Sequence, residues 1–209
     1  MSRVLPILFN TEMVRAILDG RKSCTRRVIK HNVDAILNSP YHMEHPEVED
    51  KQIISKLCLP PYQLGDILYV RETWCALPVN EAGHMRGHSV YYYKVDGDLR
   101  PEGWRGNWHP SIHMPKEAAR IWLKVTDVRV ERLQEITDKD AEQEGAQPDY
   151  PFDYAVDKWP NLEHFKEIWN STIKKSDLDR YGWDANPWVW VIEFGLCDKP
   201  SEPYQQNGE

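Results

Sequence analysis

No apolar run in the 209 residues approaches the about 20 that a helix needs to cross a bilayer. The opening Met1-Ser2-Arg3-Val4-Leu5-Pro6 is too poor in apolar residues for a secretion signal, so cytoplasm is the expected compartment. Cysteine is sparse: Cys24, Cys58, Cys75 and Cys197 are scattered with no CxxC pair, which argues against both a zinc knuckle and a disulfide framework and for reduced, buried thiols. Positive charge is also short, with a formal net charge of -7. A protein that coats nucleic acid nonspecifically must neutralise many phosphates, so only a localised basic site is compatible with this balance. No internal repeat and no stretch of linker composition interrupts the chain. A single domain over residues 1–197 is expected, followed by a polar, mobile tail at 198–209.

An apolar fraction of 41% and a charged fraction of 28% belong to a globular protein able to bury a core. Chemistry concentrates in Gly20-Arg-Lys-Ser-Cys-Thr-Arg-Arg27. Before it, Met13, Val14, Ile17 and Leu18 make one stripe of a helix capped by Asn10 or Thr11, and Gly20 ends that helix in a left-handed turn. The residues after Gly20 are expected as an irregular loop in which Lys22 and Thr25, three apart, face one pocket. Local features alone favour a basic, solvated loop. The loop's basic cluster is Arg21, Lys22, Arg26, Arg27 and Lys30. A second, Lys116, Arg120, Lys124, Arg129 and Arg132, also fits a solvated strand face.

The remaining elements follow from periodicity. Val4 to Phe9 reads as a strand whose Pro6 suits an edge, and residues 64–75 as a strand carrying Glu72. From Arg120 to Leu133 alternation predicts one long strand with a bulge, or two. Thr137-Asp138-Lys139-Asp140 starts a helix closed by Gly145. After a Pro- and Tyr-rich connection at 146–160, Asn161 is expected to cap a helix with Leu162, Phe165, Ile168 and Trp169 on its core stripe. Trp188 to Phe194 reads as a strand buried on both faces. Two segments resist assignment and are taken as insertions, 31–62 and 76–115, the second holding a strand at Tyr91-Tyr92-Tyr93. Histidines 42 and 45, and the spaced pairs His84 with His88 and His109 with His113, lack the convergent ligands of a metal centre, so no metal is expected.

Read as GxKxxTxR, the tract of Gly20, Lys22, Thr25 and Arg27 resembles the signature of the ASCH family, and Gly65-Asp66-Ile67-Leu68-Tyr69-Val70-Arg71-Glu72-Thr73-Trp74 resembles that family's strand from a Gly-Asp turn to an acidic residue. The Ala141, Glu144 and Gly145 ending of the short helix is similar too. The resemblance implies an α+β fold, a small PUA-like β-barrel with flanking helices, here with two loop insertions. It implies action on RNA or modified nucleosides: hydrolysis of the N4-acyl amide of cytidine-type nucleosides, with Lys22, Thr25 and Glu72 as the catalytic group and no cofactor. An RNA or modified-base binding module, or a ribonuclease, is the alternative. A protein-interaction module working through the insertions is a third, since longer ASCH proteins occur in phages. Arg26, Arg27 and Arg71 would hold phosphate or a base edge, and Trp74 and Trp108 would offer stacking surfaces. Two catalytic assignments stay open: Lys22 as base for a Thr25 nucleophile, or Glu72 as base with Lys22 stabilising an oxyanion.

Overall fold

The computed structural model describes residues 2–78, 89–100, 102, 106–147 and 160–200; His84, His88 and nearly all of the 146–160 connection lie outside them, as does most of the tail. Its strands are β1 (Val4–Leu8), β2 (Cys24–Val28), β3 (Ile67–Arg71), β4 (Trp74–Pro78), β5 (Ser89–Tyr93), β6 (Trp122–Arg132) and β7 (Trp188–Leu196). Its helices are α1 (Thr11–Leu18), α2 (Val33–Leu37), α3 (Pro40–Glu44), α4 (Asp50–Leu57), α5 (Asp138–Gln143), α6 (Pro160–Thr172) and α7 (Leu178–Tyr181). This is a mixed helix and strand fold with a five-stranded sheet in the order β1-β3-β6-β7-β2 and a separate two-stranded ladder, β4-β5. Among the described residues no helix is long and apolar enough to cross a membrane. The chain divides into two compact units, one of Met1–Arg15, Gly65–Lys124 and Gly195–Glu209, the other of Ala16–Leu64 and Val125–Phe194.

In the first unit β1 runs parallel to β3, with Pro6 opposite Tyr69, and β3 runs antiparallel to the start of β6. Pro6 is tolerated because β1 is an outer strand and a missing donor there breaks no inner ladder. Asn10 caps α1, its side chain accepting from the Met13 amide at 2.8 Å. Tyr69, Met114, Ala118, Ala119 and Trp122 form the core. The expected strand at 64–75 is divided. Its chain leaves β3 after Arg71 and pairs afresh as β4 with β5, so Glu72 and Thr73 lie at the break between two sheets.

In the second unit β2 pairs antiparallel with β7 over five residues. Ala141 of α5 and Phe165 and Trp169 of α6 pack with Val189 and Val191 of β7. Each large apolar side chain so buried contributes about 1.5 to 3 kcal/mol. The segment 31–62, expected as an unstructured insertion, holds α2, α3 and α4. Short capped turns build it: Asn32 accepts from the Ala35 amide and Ser39 from that of His42, and α4 buries Ile53 and Ile54. Helix α5 starts where expected, with a capping box of Thr137 and Asp140. Helix α6 starts at Pro160, and Asn161 is inside it rather than its cap. Asp138 supplies that service from α5, accepting from the Leu162 amide at 3.0 Å and from the Asn161 side chain at 2.9 Å.

Candidate active site

Gly20 closes α1 with φ +73, and the Arg21 and Lys22 amides then donate to the Ala16 carbonyl. The residues after it do not form the irregular loop expected from the sequence. Lys22 makes an isolated antiparallel bridge with Glu144, the Ser23 amide donates to Gln143, and Cys24 opens β2. An arginine-rich segment is an unpromising strand, but here it pairs along β7 and Arg26 meets Glu144 and Glu131. Side chains alternate along β2, so Arg26 reaches the partner that Lys22 also reaches, while Thr25 and Arg27 belong to the alternate set.

That shared partner is Glu144. Lys22 Nζ donates to the Glu144 carbonyl and to its Oε2, both at 2.8 Å. Arg26 Nη1 donates to Glu144 Oε1 at 3.3 Å, and Nη2 to Glu131 Oε2 at 3.1 Å. Lys22 and Arg26 are each 4% exposed and Glu144 5%. Ions withdrawn from water this far persist only when paired and hydrogen-bonded. The network continues through Arg129, which meets Asp127, Glu131 and Glu193. Gly145, at φ +80, lets the turn after α5 come close: a Cβ there would stand 2.8 Å from Ala16 Cβ and 3.3 Å from Lys22 Cβ. Cys24 lies beside this cluster, and burial pushes its thiol up to about 12, with Glu144 adding and Lys22 and Arg26 opposing. Thr25 is buried.

Glu72 belongs to the first unit, where the chain leaves β3. It is 1% exposed, and its amide donates to the Met114 sulfur at 3.2 Å. Arg120 grips its carboxylate with both edges of the guanidinium, Nε to Oε1 at 3.0 Å and Nη2 to Oε2 at 3.1 Å, and holds Asp96 by a second fork. The same guanidinium lies 3.9 Å from the Tyr93 ring centroid, and Tyr93 Oη donates to the Ala118 carbonyl at 2.6 Å. Burial raises the Glu72 pKa and Asp96 adds to this, while Arg120 works against them. Both oxygens of this buried carboxylate are thus engaged by one guanidinium.

The other anticipated binding residues have separate surroundings. Arg27 has its pKa lowered by burial, with Tyr62 and Glu144 pulling the other way. Arg71 Nη1 donates to the Ile112 carbonyl at 3.2 Å. Trp74 packs on Tyr91 and His109, and the Arg100 guanidinium lies 4.7 Å from the Trp108 ring centroid. Two residues the sequence reading left without a role now have partners that matter, Glu144 and Arg120. Glu144 was visible only as part of a helix ending, and Arg120 only as one cation in a basic strand. In that second basic cluster Arg120 and Arg129 are held by carboxylates. His42 and His45 meet Asp50 and Glu47, and among the described residues no group of three or more His, Cys, Asp or Glu side chains is placed to hold a metal ion.

No family model and no curated protein matches the chain. Among solved structures it is similar to an ASCH domain from Lactobacillus crispatus JV V101, at 12% identity and a TM-score of 0.41, covering 93% of this chain and 79% of that one. It is also similar to a DUF984 protein of Enterococcus faecalis V583, at 13% identity and a TM-score of 0.41, covering 95% of this chain and 77% of that one.

Proposed function

We propose that the chain is a hydrolase of the N4-acyl amide of cytidine-type nucleosides, built as one ASCH-type β-barrel domain over residues 1–197 with insertions at 31–62 and 76–115. The observation that carries this reading is Lys22, a lysine withdrawn from water whose amine is fixed by the carbonyl and carboxylate of Glu144. Such a group is a preorganised donor for an oxyanion. Both atoms it meets are acceptors, which favours Lys22 as the oxyanion donor and Glu72 as the general base. The group that Glu72 activates is water or the Thr25 hydroxyl. In the overall reaction water's oxygen ends on the acyl carbon, the C–N bond breaks, and the amine leaves with a proton.

Incubation with N4-acetylcytidine, followed by chromatography, tests it. Lys22→Ala should cut product formation by about 100-fold or more, the cost of removing one oxyanion donor, and Glu72→Gln should also abolish turnover. Product formed at an unchanged rate by Lys22→Ala would end this reading. A second reading, an RNA or modified-base binding module, is favoured by a pocket in which Arg27 and Lys30 stand beside Tyr62 and Trp190. It predicts saturable, salt-sensitive RNA binding without product.

A further inference from the structure

That pocket lies wholly in the second unit, between the end of β2 and the segment that follows α4. Its volume is about 330 Å³, at the small end of the range that holds organic ligands. Arg27 and Trp190 are direct partners in the β2-β7 register, so both reach it from one face of that ladder. Lys30 and His31 follow on the same strand exit, and Leu59 and Tyr62 close the other side. Among the described residues none that lines it is acidic, in a chain whose net charge is -7. Glu144, which bears on Arg27 electrostatically, is engaged by Lys22 and Arg26 and is not in the lining. Local basic charge against the overall balance, joined to two aromatic rings, is a recognition pattern for a flat ring bearing an anion.

We infer that this pocket binds a planar aromatic ring carrying an anionic group, in the form of a pyrimidine nucleoside monophosphate rather than a free nucleoside. The choice of a cytidine ring rests on the hydrolase reading; the need for ring and anion together does not. Lys30, exposed at the pocket's edge, takes the phosphate, and the walls of Tyr62, Trp190 and Leu59 take the ring. The phosphate belongs either to a free mononucleotide or to an RNA strand.

Calorimetric titration of the full chain with cytidine monophosphate, cytidine, inorganic phosphate and a short oligocytidylate reads this without turnover. The monophosphate should bind about tenfold or more tightly than cytidine or phosphate alone, the worth of one charge-assisted contact. Lys30→Glu should remove that advantage, and Lys30→Ala should remove part of it. Tighter binding of the oligomer than of the monophosphate assigns the phosphate to a strand, and equal or weaker binding assigns it to a mononucleotide. Equal affinity for cytidine and its monophosphate, phosphate binding as well as the nucleotide does, or indifference to Lys30→Glu overturns the inference.

Discussion

Glu144 holds two cations that have left water. Its replacement by Ala would strip Lys22 of its carboxylate and Arg26 of one of its carboxylate partners, and breaking such a buried pair costs about 3 to 5 kcal/mol, which urea denaturation should register. Glu144→Gln keeps a hydrogen-bond acceptor and should lose less. The neighbouring thiol gives an independent reading of the same packing. With Cys24 pushed up to about 12 by burial, it should resist iodoacetamide at about pH 8 in the folded chain and label only on unfolding. Labelling of Cys24 as fast as the more exposed Cys197, followed by mass spectrometry, would contradict the enclosed cluster. Lys22 was legible in the sequence because its spacing to Thr25 and Arg27 resembles a known signature. Glu144 was not, because its importance comes from a cross-chain bridge that no local spacing encodes. Arg120 was misread for a related reason: one more cation in a strand says nothing of the two carboxylates it grips.

Elements were legible where one physical signal dominated. The alternation of β6 around Leu123 and Val125 and the helix start at Thr137 are local and strong, and each is found; of the α1 stripe Val14 and Ile17 are buried while Leu18 is 47% exposed. Strand β2 was illegible because an arginine-rich run is a poor strand until a neighbouring ladder receives it and carboxylates meet Arg26. Helices α2 to α4 were hidden by the prolines and histidines between them, since short helices held by caps leave little periodicity to read. The α6 cap was misplaced because it comes from Asp138 in another helix. Two glycines separate backbone from packing. At Gly20 an added Cβ meets nothing within 4 Å, so Gly20→Ala should cost only the left-handed conformation, about 1 kcal/mol. Gly145→Ala adds the collision with Ala16 and should lose about 1 to 3 kcal/mol more. It should also lower turnover by displacing Lys22, which thermal melts and product assays would separate.

For the molecule as a whole, carboxylates pull the pH dependence of stability in opposite directions. Burial raises Glu72 above its ordinary 4.5, so the native state keeps that proton longer than the unfolded chain. The stability linked to it is full below the unfolded value and is lost as pH rises through the folded one. For Asp140 and Glu135 burial is outweighed by hydrogen bonds from Thr137 and from Lys51 and Arg132, which leave both lowered; their contribution is present above the unfolded values and fades as pH falls. The unfolding free energy of the native sequence relative to Glu72→Gln should therefore decline as pH rises from about 4 to 7, measured by urea titration. A difference that grows over that interval would mean the Arg120 fork outweighs burial.

The pairing of β2 with β7 has a further consequence. These strands lie far apart in the sequence, so during synthesis β2 emerges long before its partner. Until β7 leaves the ribosome, the nascent second unit carries an unzipped strand and has neither the ladder nor the Val189 and Val191 wall of its core. Truncated products should therefore be targets for proteases and holding chaperones rather than shorter, working versions of the protein.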